Sequence, residues 1–124
     1  WEKFSAFPYR FTRAYQRIPV FTDKNELLTD IDILLVNGEY AMVVEVKRNL
    51  RKDDIDRHLV RMERLHRYPQ ELTRGKRLLG ALAAGSAGKD ERDYAYESGF
   101  FVLELTGESA VLAEQPPGFK PREW

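Results

Sequence analysis

The sequence predicts an α/β domain, a mixed sheet flanked by helices in the order (α)βββαβαβ. Three observations carry that reading. Two β-rich runs, Ile31–Val36 and Tyr40–Lys47, flank Asn37-Gly38, the strongest short-range signal for a hairpin. Ile55, Leu59, Met62 and Leu65 or His66 then recur at helical spacing. Beyond them a continuous apolar run, Lys76–Ala84, a short helical segment and another β-rich run imply a right-handed crossover between parallel strands.

The elements follow in order. Trp1–Phe7 reads as the tail of a helix ended by Pro8. Phe11–Phe21 is rich in β-formers, and Pro19 within it fits an edge strand, where no ladder donor is lost. Thr22-Asp-Lys-Asn25 is turn chemistry leading into the hairpin. The helix Lys52–Tyr68 opens with Asp53, Asp54 and Asp56, acids that suit the positive end of its dipole, and Pro69 stops it. Arg57, Arg61 and Arg64 fall off the apolar stripe and are expected to face outward, while His58 borders the stripe as a satisfied core histidine. Lys89–Ser98 is the second helix, with Gly99 well placed just past its end. Phe100–Leu105 and Ala110–Glu114 are the last strands, and Phe119 and Trp124 are expected to pin the proline-rich tail to the body. Gly85-Ser-Ala-Gly88 lacks the length and Lys-Ser/Thr ending of a phosphate loop.

A chain of 124 residues that is 43% hydrophobic, with 7 Phe, 6 Tyr and 2 Trp, fits one packed domain spanning 1–124. It has no cysteine, which excludes disulfides and thiolate metal sites, and only two histidines. No apolar run approaches a membrane span and no signal-peptide pattern opens the chain, so a cytoplasmic protein with no membrane partner is the expectation. The first residue is Trp1, which suggests a missing upstream segment and an incomplete N-terminal helix. Net charge is zero, but the charge is unevenly spread. Residues 1–47 have a net charge of −1, residues 48–77 of +5 and residues 78–124 of −4. The basic excess begins at Arg48, directly after the hairpin, and would serve phosphate contacts or simply be a solvated helix face.

The hairpin carries charge where apolar residues dominate. With Asn37-Gly38 as a two-residue loop, paired positions sum to 75, and Asp32, Glu45 and Lys47 project from one face with the two carboxylates as diagonal neighbours. A four-residue loop would set Asp32 and Glu45 directly opposite each other, whereas a three-residue loop would separate them onto opposite faces. Charges half-buried in such a sheet must be paired or hold a metal. One reading is a structural cluster in which Lys47 neutralises Glu45. The other is a hard-cation site built on carboxylate oxygens, as Mg²⁺ prefers.

Asp32, twelve intervening residues, and then Glu45-Val46-Lys47 at the end of a hydrophobic strand resembles the PD-(D/E)XK nuclease superfamily. The resemblance covers the hairpin and the helix after it, and the closing Gly118–Trp124 is similar to the end of uncharacterised bacterial members. It implies a restriction-endonuclease-like fold and a Mg²⁺-dependent (or Mn²⁺-dependent) nuclease acting on nucleic acid, with DNA as the expected partner. Asp32, Glu45 and the Val46 carbonyl would hold the ion, and Lys47 would complete the catalytic set. Phosphate contacts would come from Arg48, Arg51, Lys52, Arg57, Arg61 and Arg64. Cleavage of both strands of a duplex would favour a homodimer with two-fold symmetry. One departure concerns the helix ahead of the first strand, where members often carry another acid. Here Glu2 alone is on offer, a poor fit. The alternative is a catalytically inactive module of the same fold that binds nucleic acid or protein.

Overall fold

The computed structural model describes residues 7–124. The expected helix stub over 1–7 lies, but for Phe7, outside the described residues, as does Glu2. Six strands form one mixed open sheet in sequential order: β1 (Arg13–Phe21), β2 (Leu27–Val36), β3 (Tyr40–Asn49), β4 (Arg77–Ser86), β5 (Phe101–Thr106) and β6 (Ser109–Leu112). The outer pairs β1–β2, β2–β3 and β5–β6 are antiparallel, while β3–β4 and β4–β5 are parallel. Helix α1 (Lys52–Arg67) joins β3 to β4, and α2 (Lys89–Glu97) joins β4 to β5.

Each helix is a crossover between neighbouring parallel strands, and both crossovers advance in the same direction along the sheet, so both helices cover one face. The core on that face joins Ile55, Met62 and Leu65 of α1 and Ala95 and Tyr96 of α2 to Leu34, Val43, Leu82 and Val102. The opposite face carries Leu35, Met42, Val44, Leu79, Ala81 and Leu103, packed with Phe7, Phe11 and Phe101. Strands apolar on both sides are what a sheet covered on both sides requires. Pro19 sits on the edge strand β1, paired with Asp30 of β2. No helix among the described residues is long and apolar enough to cross a membrane.

Two special backbone positions fit the chain to this shape. Gly99, at φ 93°, ends α2 one residue past Ser98, and its N–H bonds back to Tyr96 O. Gly80 on β4 leaves room for the Phe100 ring, which a Cβ at that position would meet at 2.5 Å. Phe100 in turn stacks on Trp124 at 5.1 Å, and the Trp124 N–H donates to Leu78 O, so the tail is tied to β4 as its aromatic content suggests.

The hairpin register differs from the expected one. Val36 pairs with Ala41, Leu34 with Val43 and Ile33 with Val44, so paired positions sum to 77 and not 75. The turn is centred on Gly38-Glu39, closed by the Asn37 N–H donating to Tyr40 O at 3.0 Å. Neither Asn37 nor Gly38 has positive φ, so the type I′ geometry is absent. The Asn37 side chain acts as an acceptor instead: Oδ1 takes the Glu39 and Tyr40 N–H groups at 2.8 and 2.6 Å. The shift is two in the sum, which preserves the facing of the paired side chains, and the ladder ends at Ile33↔Val44, one position short of Asp32 and Glu45.

Candidate active site

The β2–β3 ladder runs from Val36↔Ala41 to Ile33↔Val44 and stops there, although β2 continues along β1 and β3 along β4. Asp32 lies at this fork. Its Oδ2 accepts the Val46 N–H at 2.9 Å, the bond that a main-chain carbonyl would make in an unbroken ladder. An extended residue turns its N–H and C=O toward the same neighbour, so the Val46 carbonyl also opens onto the Asp32 side. Side-chain alternation breaks at the same place, because Ile31 and Leu34 both enter the helix-side core while Ile33 packs on the other face. Arg17, between the pairs Gln16↔Ile33 and Ile18↔Ile31, takes a left-handed φ of 53°, a sparsely populated state for a non-glycine residue.

Glu45 is 7% exposed and turned toward α1. Burial pushes its carboxyl up to about 7; the adjacent Asp32 reinforces the shift, and Arg61 and Lys47 oppose it. Lys47 Nζ stands 3.8 Å from Glu45 Oε1 and 3.8 Å from Asp54 Oδ1, between two carboxylates. The structure thus brings Asp32, Glu45 and Lys47 into one cluster, with the Val46 main chain beside them.

Three residues that the sequence pattern places elsewhere complete the cluster. Asp54, by its position an acid of the first helical turn, is 6% exposed. Its Oδ2 accepts the Arg51 N–H at 3.0 Å and its Oδ1 pairs with Arg57 Nη2 at 2.6 Å. Burial works to raise its carboxyl, but these two hydrogen bonds and the charges of Lys47 and Arg57 hold it below the usual range.

Arg61, expected to face outward, turns inward. Its Nη1 lies 2.7 Å from Glu45 Oε2 and 2.8 Å from His58 Nδ1. His58 is fully buried, and its Nε2 bonds Val43 O at 3.1 Å. A carbonyl only accepts and a guanidinium only donates, so the proton is on Nε2 and Nδ1 accepts from Arg61. Burial, then Arg61, drives the imidazole down to about 3, so it stays neutral. The buried face of α1 is centred nearer His58 than the Ile55–Leu59 stripe suggested: Asp54, Ile55, His58, Met62 and Leu65 are buried, and Leu59 is only partly so. That rotation carries Arg61 in.

The remaining basic candidates are exposed. Arg48, Arg51 and Lys52 surround the end of β3 and the start of α1, and Arg57 lies one turn on, next to Asp54. Arg64 is exposed two turns beyond Arg57, on the same side of α1. No family model, no curated protein and no solved structure matches the chain.

Among the described residues no three His, Cys, Asp or Glu side chains converge as a ready cage for a metal ion. The donor set at the fork is smaller: two carboxylates and one carbonyl, all oxygen. That set fits Mg²⁺ or Mn²⁺, because Mg²⁺ keeps several of its waters and needs only one or two protein carboxylates.

Proposed function

We propose that this chain is a Mg²⁺-dependent nuclease of the restriction-endonuclease-like PD-(D/E)XK type, hydrolysing phosphodiester bonds of nucleic acid, with DNA as the favoured substrate. The observation that carries the reading is the fork between β2 and β3, where the Asp32 carboxylate accepts the Val46 N–H beside Glu45, with Lys47 Nζ 3.8 Å from Glu45. Asp32, Glu45 and the Val46 carbonyl would hold the ion. When bound, it supplies Lewis-acid polarisation of the scissile phosphate and acidifies an attacking water.

The chain's own groups do the rest. Lys47 stands between the carboxylates of Glu45 and Asp54, and its ammonium orients the water and offsets charge developing on the phosphoryl oxygens. Asp54, held ionised by Arg51 and Arg57, keeps that ammonium over the fork rather than in solvent. Arg48, Arg51, Lys52 and Arg57 offer exposed cations around the same end of the sheet, suited to the phosphates flanking the reacting one.

One observation favours the second reading, an inactive nuclease-fold module: Arg61 already occupies Glu45 Oε2. Titration with Mn²⁺ separates the two, since only an enzyme needs the ion. The active reading expects saturable Mn²⁺ binding and divalent-dependent cleavage of DNA by the wild-type chain, both lost in Glu45→Ala. A wild-type chain that binds no divalent ion and cleaves neither DNA nor RNA is the module.

A further inference from the structure

Glu45 is held by a chain of contacts that a simple ion pair would not require. His58 is fully buried, donates from Nε2 to Val43 O, and packs its ring against Phe100 at 4.8 Å. Its proton is therefore committed to β3, and the lone pair on Nδ1 has a fixed direction. Arg61 Nη1 carries two hydrogens and meets two acceptors, His58 Nδ1 at 2.8 Å and Glu45 Oε2 at 2.7 Å. Both hydrogens of that nitrogen are used, so the guanidinium cannot swing without giving up one bond. Arg61 Nε, by contrast, is buried without a partner, a cost that an arginine free to turn to solvent would not bear. Arg61 consequently grips the carboxylate of Glu45 at Oε2. Oε1 faces Lys47, from which it is separated by 3.8 Å, too far for a hydrogen bond.

We infer that Arg61 and His58 are positioning residues for cation binding: together they fix the rotation of the Glu45 carboxylate so that Oε1 is presented to the fork as a ligand oxygen. The inference rests on the proposed metal site and names the part of α1 that tunes it. Val43 and Glu45 are two residues apart on β3, so the relay runs from the strand to the helix and back to the same strand. Partners that orient a ligating group in this way contribute 10–100-fold in metal affinity in general.

Charge alone predicts the opposite effect of removing Arg61. A cation near the site repels an incoming metal ion, so on that view its loss tightens binding. Orientation predicts weaker binding. The test measures free Mn²⁺ by electron paramagnetic resonance while Mn²⁺ is titrated into wild type, Arg61→Met and His58→Leu at one fixed pH. The folded state of each is verified by circular dichroism. We expect Arg61→Met to weaken Mn²⁺ binding at least tenfold, and millimolar methylguanidinium to restore part of the loss. A purely structural role for Arg61 would lower the melting temperature without that rescue. Should Arg61→Met not fold, His58→Leu tests the same relay, because it removes the acceptor that holds Arg61 Nη1; a similar loss is expected. Unchanged or tighter binding in the variant that folds overturns the inference while leaving the metal site intact. A wild-type chain that binds no Mn²⁺ overturns the metal site, and the inference with it.

Discussion

Asp32 Oδ2 accepts the main-chain N–H of Val46 at 2.9 Å, so a side chain of β2 takes over where its backbone ladder with β3 ends. The carboxylate has two duties, one structural and one electrostatic, and substitutions separate them. Asp32→Asn keeps an acceptor for Val46 and removes one of two neighbouring negative charges. Its metal-free stability should stay within about 1 kcal/mol of wild type, and Asp32→Ala should lose a further ~0.5–1.5 kcal/mol with the hydrogen bond. Both should abolish stabilisation by Mn²⁺, which in wild type should reach about 2.7 kcal/mol at 100 times the dissociation constant. Thermal melts with and without Mn²⁺ measure all of this.

Lys47 should behave differently from the carboxylates. It stands 3.8 Å from both Glu45 and Asp54 and would not itself ligate a cation. Lys47→Ala should therefore keep Mn²⁺ binding, equal or tighter, while divalent-dependent cleavage falls by orders of magnitude. That combination marks a group acting in the transition state rather than in holding the ion. Loss of Mn²⁺ binding along with cleavage would place Lys47 in a structural role instead.

Glu45 sets a pH dependence of definite sign. Its folded-state carboxyl is raised from 4.5 to about 7, so the folded chain binds this proton more tightly than the unfolded one. The contribution to stability is complete below about 4.5 and is lost as pH rises through about 7, at roughly 1.4 kcal/mol for each pH unit between the two. Asp54, held low, acts in the other direction, and its contribution is lost only as pH falls through its depressed range. Comparing metal-free wild type with Glu45→Gln cancels Asp54 and isolates Glu45. The difference in unfolding free energy should change between pH 5 and 7.5 and level off above. Mn²⁺ affinity should rise about tenfold per pH unit up to about 7, because binding displaces one proton, and be flat beyond.

The basic residues divide into two groups with different expectations. Arg48, Arg51, Lys52 and Arg57 are exposed near the fork, whereas Arg61 is committed to Glu45. For binding to duplex DNA, neutralising Arg48, Arg51 and Arg57 together should flatten the plot of log affinity against log salt by roughly 0.9 for each phosphate whose charge is no longer offset. Arg61→Met should leave that slope unchanged, because its guanidinium faces a carboxylate and not a phosphate. Filter binding at several salt concentrations distinguishes the two.

How much of this was legible depends on whether a signal is local. Alternation and the Asn37-Gly38 pair located the hairpin, and its parity put Glu45 and Lys47 on one face, with Asp32 reaching toward them from beyond the end of the β2–β3 ladder. The register departs from the expected one because Asn37 works through its side-chain oxygen rather than through the positive φ that Asn-Gly tolerates. Asp54 was hidden by a sufficient local explanation, its place in the first turn of α1. Arg61 was misassigned by a modest error in helical phase. A stripe drawn through Ile55, Leu59, Met62 and Leu65 points it outward, and the same stripe drawn through His58 points it in. The unpaired Arg61 Nε and the choice of Phe100 as the partner of Trp124 have no sequence signature, since each depends on segments far apart in the chain.

The two faces of the sheet are closed by different means, and this bears on solubility. Helices roof one face. The other relies in part on short aromatic segments: Phe7 meets Phe101 at 5.4 Å, Tyr9 meets Tyr40 at 4.6 Å, and Phe119 meets Phe101 at 5.5 Å. Such segments make few backbone hydrogen bonds and can open without unfolding the rest. When they open, they uncover Met42, Val44, Leu79 and Leu103 as one contiguous greasy surface on an otherwise native sheet. The form of this protein most prone to clump is therefore nearly folded, and replacing Phe7 or Tyr9 by alanine would raise its population, increasing dye binding and light scattering well below the melting temperature.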